Sequence, residues 1–311
     1  MKIIVSGGAG FIGSNLVKFL LSKKHEVIVI DNFSTGFKKN LQKELDNIIL
    51  IDKNLEDLNL DIYKDIDCFI HLAAQVSVPI SIHSFKESSK SNILSSINTV
   101  DFCRTYNIPL VYASSSAVYG NLELGDDNYS DIDLLSPYAA DKYFLEKFTK
   151  IFYSLSSLSS IGLRFFNVYG PNQDSNNPYS GVISIFVDRI YNKKPIIING
   201  GDQTRDFIYV DDVVRVIYES VKIVSKRKTY EVVNVLTGKT TSIDKLAEII
   251  SKKLNFDPKR IYKPFPKGDL LKSIGSTKKM ENLLDIDIKK MTKIEEGLDK
   301  TIKFTRNNHL R

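Results

Sequence analysis

Residues 2–13 read KIIVSGGAGFIG, an apolar β-branched run that breaks into Gly7-Gly8-Ala9-Gly10-Phe11-Ile12-Gly13 before an apolar helical pattern begins. The stretch fits G-x-G-x-x-G counted from Gly8 and G-x-x-G-x-x-G counted from Gly7. A turn this tight calls for positive φ, for a missing side chain where backbone meets a diphosphate, and for close helix–strand packing. Amide donors at the helix N-terminus then suit phosphate oxygens. Any strand-to-helix turn can hold two glycines, so context decides. Asp31 closes the next strand, HEVIVID (25–31), at the distance of about 20 residues where a carboxylate accepts ribose hydroxyls and repels a 2′-phosphate. Together these residues predict a dinucleotide site that favours NAD over NADP, with Lys38 and Lys39 nearby as the contrary signal.

Beyond the turn, the first half alternates short strands with helical patterns. IILID (48–52), DCFIHLA (67–73) and PLVYASS (109–115) are near-continuous apolar runs, as expected of strands covered on both faces. A helix at about 136–154 and a strand at 160–166 follow. Helices between strands imply right-handed crossovers and a parallel sheet. After Asn167 the pattern loosens into GPNQDSNNPYSG (170–181). A helix (about 180–192), IIING (196–200), RDFIYV (205–210), a helix (211–224) and VVNVL (232–236) come next, then helices near 242–254, 276–284 and 292–305. The prediction is an α/β Rossmann-type doubly wound sheet over residues 1–170, with some later segments returning to it. Residues 171–311 form a smaller, partly interleaved α/β unit.

The bulk numbers fit that reading. The chain has 311 residues, enough for a real core, and 42% hydrophobic with 26% charged residues is ordinary for a globular protein. The net charge of +6 comes from scattered lysines with no dense basic face, so no nucleic-acid partner is expected. Cys68 and Cys103 have neither metal-ligand nor disulfide-framework spacing, and no metal is expected. No apolar run approaches the ~18 residues of a membrane span. Met1-Lys2 runs straight into a strand with no signal peptide, and the expectation is a cytoplasmic enzyme without a membrane partner.

Tyr138 and Lys142 lie four apart and share a helix face. Ser136-Pro137 reads as N-cap and first helical residue, placing Tyr138 in the first turn. There the helix end and the Lys142 ammonium would both favour phenolate over a phenol of pKa ~10. Tyr143/Lys147 and Tyr218/Lys222 repeat the spacing and are read as packed tyrosines beside solvated lysines. Tyr143 lies about 140° around the helix from Tyr138, so the two cannot serve one site. Ser114-Ser115-Ser116 ends a predicted parallel strand, where open α/β sheets bind ligands; three serines are also ordinary turn formers.

With these motifs assembled, the chain resembles an extended short-chain dehydrogenase/reductase of the NAD-dependent epimerase/dehydratase family, closest to UDP-glucose and UDP-N-acetylglucosamine 4-epimerases. The carriers are GGAGFIGSNL, DNFSTG (31–36), HLAAQVSVP (71–79), SSSAVYG (114–120), SPYAADK (136–142), RFFNVYGPNQD (164–174), GDQTRDFIYVDD (201–212) and KGD (267–269). The resemblance implies Ser115, Tyr138 and Lys142 as catalytic residues, with Tyr138 the base. For NAD it implies Gly7, Gly10, Phe11, Ile12 and Gly13 at the turn, and Asp31, Asn32, Thr35 and Gly36 on the adenosine side. Asn54 and Leu55 would lie against adenine, and Leu72, Ala73, Ala74 and Phe165 along the cofactor. A UDP-hexose would meet Asn167 and Arg205 at its diphosphate, Val182, Ile197 and Asn199 at uridine, and Asp269 at ribose. Ser77 and Ser116 would face the hexose.

Departures from the family pattern are Asn54-Leu55 in place of Asp-Ile, Pro266 in place of a second diphosphate arginine, and Ile80 in place of arginine. Lys267 could replace that arginine only as a point charge. The implied reaction inverts C4 through a 4-keto sugar. A dehydratase or decarboxylase of the family is the rival, opposed by Ser116 and Ala117 where those enzymes place acidic groups. A non-catalytic NAD-sensing protein is the rival of another class, opposed by the intact Tyr and Lys. Ser273 stands where a bulky tyrosine marks strict UDP-glucose/galactose epimerases, leaving the N-acetyl series open. The resemblance also implies a homodimer through helices at about 84–105 and 137–154, although the apolar residues there equally suit a core.

Overall fold

The computed structural model describes residues 1–129, 131–175, 180–265 and 271–309. Asp269, with its neighbours Pro266 and Lys267, lies outside the described residues.

In chain order the N-terminal elements are β1 (Lys2–Ser6), α1 (Phe11–Ser22), β2 (Glu26–Asp31), β3 (Ile48–Asp52), β4 (Cys68–His71), α2 (Val78–His83), α3 (Phe85–Tyr106), β5 (Leu110–Ser115), α4 (Pro137–Ser156) and β6 (Ser160–Phe165). Then come β7 (Asn167–Tyr169), α5 (Val182–Tyr191), β8 (Ile196–Asn199), β9 (Thr204–Tyr209), α6 (Val210–Val224) and β10 (Tyr230–Val235). The chain continues with β11 (Thr240–Ser242), α7 (Ile243–Leu254), β12 (Arg260–Lys263), β13 (Lys272–Ser273), α8 (Lys278–Leu284) and α9 (Ile294–His309).

Seven parallel strands form one sheet in the order β10-β6-β5-β4-β1-β2-β3. The chain leaves β1 in one direction through β2 and β3, and in the other through β4, β5 and β6. The switch between β1 and β4 opens a crevice at the carboxyl ends of the strands, where folds of this kind bind ligands. The Rossmann expectation is met. β10 (VVNVL in the sequence reading) is one of the later segments that return to the sheet, in register with β6 from Tyr230↔Ser160 to Val235↔Phe165.

Alternate residues of the strands feed two cores. Ile3 and Val5 of β1 face α1 and α6, packing with Leu16, Val17, Val213 and Ile217. Ile4 faces the opposite side with Phe69, Leu110, Tyr112, Val100, Phe102 and Leu145, beneath α3 and α4. Full burial of each such side chain stabilises by about 1.5–3 kcal/mol. The first cluster runs on into Ile183, Phe186, Ile198, Leu246 and Leu298, so the second half shares a core with the sheet. Cys68 and Cys103 are buried free thiols on opposite sides.

Two expectations need correction. β3 is an edge strand and is not covered on both faces: Ile49 is 55% exposed. The segment after Asn167 starts as a short strand, because β7 pairs in parallel with β9 before the chain loosens. β9 also pairs with β11 and β13, and β8 with β12, giving two small sheets beside the large one. No described helix is long and apolar enough to cross a membrane.

Candidate active site

The glycine turn is shaped by contacts that leave no space for side chains. Gly7 has φ +71°, and a Cβ on it would lie 2.7 Å from the Ala73 nitrogen. A Cβ on Gly13 would lie 2.1 Å from the Gly7 oxygen, so α1 starts directly against the strand end. Gly10 caps α1 from extended backbone without a side-chain bond, leaving the first amides of the helix for a ligand.

Asp31, buried at the end of β2, accepts the Ala9 N–H at 2.8 Å and the Phe33 N–H at 2.9 Å. Burial pushes its carboxyl above the ordinary carboxylate range, against those two bonds. Gly36 is held so close that a Cβ would come within 3.0 Å of Asp31 Oδ1. Asn40 Nδ2 donates to the Ala9 carbonyl at 2.9 Å. The turn and the 31–40 loop are therefore one hydrogen-bonded body.

A cleft of about 480 Å³ opens at this switch point. Gly7, Gly10, Phe11, Ile12 and Gly13 line it at the turn; Asp31, Asn32, Thr35, Gly36 and Leu55 line one end. Leu72, Ala73 and Ala74 run along it, and Ser77, Ser115, Tyr138, Lys142 and Phe165 close the other end. Asn54 is not in the lining. Its Oδ1 accepts Asn32 Nδ2 at 2.9 Å and its Nδ2 donates to Asp57 at 2.9 Å, so it braces Asn32 from behind. Lys53, Glu56, Gln75, Ser91, Ser95, Asn172 and Gln173 also line the cleft, and none was singled out from sequence. Ser91 and Ser95 carried a readable signal, since i,i+4 spacing puts both on one face of α3.

Ser115, Tyr138 and Lys142 converge from β5 and α4. Ser136 caps α4, accepting the Ala139 N–H at 3.2 Å with Pro137 behind it, so Tyr138 sits in the first turn as expected. Ser81 of α2 accepts the Tyr138 backbone N–H at 3.2 Å. The Tyr138 side chain hydrogen-bonds Ser115, and Lys142 Nζ lies 5.9 Å from the Tyr138 ring centre. All three residues are at least nine-tenths buried.

The electrostatics differ from expectation. Burial pushes the Tyr138 phenol up; the Ser115 bond draws it back, and the Asp141 carboxylate adds to the rise. Lys142 Nζ donates to the Ala113 carbonyl at 2.9 Å, and burial pushes its ammonium down to about 8, opposed by Asp141. Helix end and ammonium thus do not make Tyr138 acidic in this state, because desolvation outweighs them. His71, with Nδ1 2.8 Å from Ser6 Oγ, is pushed down to about 3 by burial and by Lys142, and stays neutral.

Behind the pair, Glu146 takes Arg164 in a two-pronged buried ion pair at 2.9 and 2.7 Å and also accepts the Ser114 hydroxyl at 2.5 Å. Arg164 further donates to Tyr119, whose hydroxyl donates to Asn234.

The residues expected at the substrate are more scattered. Ser77 lines the cleft and caps α2, accepting the Ile80 N–H at 3.2 Å. Ser116 opens the 3-10 turn Ser116–Tyr119, half-buried and outside the lining. Asn167 Nδ2 donates to the Asp206 carbonyl at 3.0 Å and reaches Ser273 Oγ at 3.5 Å, while Arg205 is in register with Ser273. Those three come together on the β7-β9-β13 sheet. Val182 begins α5, and Ile197 and Asn199 share the outward face of β8; none of them lines the cleft.

A glycine cradle that any Cβ would fill, a carboxylate at its ribose end and a Tyr-Lys pair at the far end fit a nicotinamide dinucleotide. The comparisons agree. The sequence model of the NAD dependent epimerase/dehydratase family matches residues 3–235. A putative UDP-glucose 4-epimerase of Methanocaldococcus jannaschii is 37% identical, over 99% of both chains. Among solved structures, a UDP-glucose 4-epimerase with UDP-glucose from Thermotoga maritima has a TM-score of 0.91 at 32% identity, covering 99% of this chain and 100% of the other. A UDP-N-acetylglucosamine 4-epimerase from Methanobrevibacter ruminantium, in complex with UDP-N-acetylmuramic acid, has a TM-score of 0.92 at 35% identity, covering 99% and 98%. The chain belongs to the NAD dependent epimerase/dehydratase family, whose cofactor is NAD.

Proposed function

We propose that this chain is a UDP-hexose 4-epimerase that interconverts UDP-glucose and UDP-galactose through a transient 4-keto sugar. The observation that carries the reading is the convergence of Ser115, Tyr138 and Lys142 at one end of the cleft, followed by uncharged Ser116 and Ala117. When bound, NAD supplies reversible hydride acceptance. Tyr138 takes the C4-hydroxyl proton and later returns it, Ser115 hydrogen-bonds the C4 oxygen, and Lys142 stabilises the phenolate. Burial raises the Tyr138 phenol, and the positive charge that bound NAD would bring to the cleft would favour its anion. Asn167 and Arg205 hold the diphosphate, with Asp269 at the ribose and Val182, Ile197 and Asn199 at the base, so the hexose alone is free to turn. Ser77 and Ser116 face it.

The remaining assignments are Gly7, Gly10, Phe11, Ile12 and Gly13 at the pyrophosphate, Asp31, Asn32, Thr35, Gly36 and Leu55 at adenosine, with Asn54 acting through Asn32. Residues 171–311, apart from the segments such as β10 that return to the large sheet, form the nucleotide-sugar side. A dehydratase needs an acid and a base at C5 and C6, which Ser116 and Ala117 cannot provide. The N-acetyl series is a second reading, favoured by the small Ser273 beside Asn167.

Incubation of the purified chain with UDP-galactose, UDP-GalNAc and a dTDP-hexose, with products resolved by chromatography, tests the proposal. The expected product is the C4 epimer of the UDP-hexose. Loss of water, release of CO₂ or stoichiometric NADH contradicts it.

A further inference from the structure

Three polar side chains lie side by side across neighbouring strands, one position behind the cleft-lining Ser115 and Phe165. Ser114 of β5, Arg164 of β6 and Asn234 of β10 are in register, and all three are buried. Polar groups in such a place are costly unless they are bonded. Glu146 joins Arg164 to Ser114. Tyr119 joins Arg164 to Asn234: its hydroxyl accepts Arg164 Nη1 at 2.8 Å and donates to Asn234 Oδ1 at 2.7 Å. Burial pushes this phenol up to about 12, against the pull of Arg164, so it keeps the proton that it donates.

Tyr119 is also tied to the catalytic serine through its backbone. It closes the 3-10 turn Ser116–Tyr119, which Ser115 caps by accepting the Ala117 N–H at 3.1 Å. The turn thus starts at the hydroxyl that Tyr138 bonds and ends at the hydroxyl between Arg164 and Asn234. Beyond Asn234 the contacts lead to the substrate side. Asn234 Nδ2 donates to the Gly125 carbonyl at 3.0 Å and to the Ser276 carbonyl at 3.3 Å. The Gly125 N–H donates to the Ile274 carbonyl at 3.0 Å, and the Ser276 N–H to the Gly125 carbonyl at 2.9 Å. The fit is close: a Cβ on Gly275 would lie 2.6 Å from Phe166 Cζ, and one on Gly125 would lie 2.6 Å from the Tyr119 ring. This segment continues from β13, whose Ser273 is in register with Arg205 and within 3.5 Å of Asn167 Nδ2.

We propose that Tyr119 is a positioning residue: its hydroxyl, bonded to Arg164 and Asn234, holds the turn that starts at Ser115 at a fixed distance from the 273–276 segment of the substrate side. A sugar nucleotide gripped on the β7-β9-β13 sheet then presents its C4 hydroxyl to Ser115 and Tyr138. A hydroxyl that merely satisfied two buried groups would contribute stability and leave turnover of the folded fraction unchanged.

This inference rests on the epimerase reading for its kinetic test. Tyr119→Phe keeps the ring and removes the link; kcat should fall about tenfold with dinucleotide affinity unchanged, given that a misplacement of ~1 Å costs on the order of 100-fold. Asn234→Leu cuts the same link from the other side, and it carries the test should Tyr119→Phe not fold. Because both act on one link, the double variant should be no slower than the slower single variant. Hydrogen exchange read by mass spectrometry follows the link without turnover. In Tyr119→Phe, peptides covering 116–120 and 273–276 should both exchange about tenfold faster, the scale of one lost buried hydrogen bond. Unchanged exchange at 273–276, an unchanged kcat, or effects that multiply in the double variant overturns the proposal. Faster exchange in both peptides of a chain that epimerises nothing overturns the functional reading and leaves the link standing.

Discussion

At the residue scale, the proposed chemistry rests on Tyr138, Lys142 and Gly7. Tyr138→Phe removes the phenolic oxygen and leaves the glycine cradle intact; we predict near-total loss of turnover with dinucleotide binding retained by fluorescence titration. Turnover like the wild type would remove Tyr138 from the chemistry. Lys142 gives a stability prediction. In the folded chain its ammonium loses its proton at about 8, against an ordinary value of 10.5. Between those values the unfolded chain binds the extra proton, so stability from this residue rises with pH across that window, and below about 8 the full burial cost is present. Lys142→Met should therefore be inactive yet more stable at pH 7 by about 1–3 kcal/mol, a gain that fades towards pH 10.5 in denaturant titrations. Gly7→Ala meets both positive φ and a contact of 2.7 Å with the Ala73 backbone; a loss of about 1–3 kcal/mol and much weaker dinucleotide binding are expected. These positions were legible in sequence because their chemistry is local: a glycine needs a turn, and a tyrosine and lysine four apart need only a helix. The raised phenol was not legible, since desolvation depends on everything packed around Tyr138.

On the scale of elements, α4 carries both the Tyr-Lys pair and the Glu146 carboxylate that receives Arg164 from β6. Its start was readable, because Ser136-Pro137 is a cap and a first-turn residue. Its partner was not, because Glu146 and Arg164 are 18 residues apart and meet only once β6 lies beside β5. The same limit hid the bracing of Asn32 by Asn54. Cutting one side of a buried ion pair leaves the other charge uncompensated, so Arg164→Ala should cost about 3–5 kcal/mol in chemical denaturation. A cost below ~1 kcal/mol would mean that water already reaches Glu146. Turnover should fall as well in the folded fraction, because the Ser114 hydroxyl bonded to Glu146 adjoins Ser115.

Seen whole, the molecule is a seven-stranded sheet with the cleft at its switch point and small sheets from the second half beside it. The β-α rhythm of the first half was readable as a parallel sheet. The small sheets were not, because β7, β11 and β13 have only two or three residues each and are defined by their pairing with β9. Leu94 and Ile97 are 39% and 44% exposed on α3, beside a groove lined by Val100, Phe144, Phe148 and Phe152. We propose a homodimer through this face, and Ile97→Glu with Phe148→Glu should sediment as a monomer; an unchanged sedimentation coefficient would place the interface elsewhere. The central claim is that one hydride leaves C4 and returns to the same carbon. UDP-galactose carrying deuterium at C4 tests it most directly, followed by NMR of the recovered sugar nucleotides. The account predicts UDP-glucose with deuterium retained at C4, and label lost to solvent, or a product in which C4 is not inverted, would contradict it.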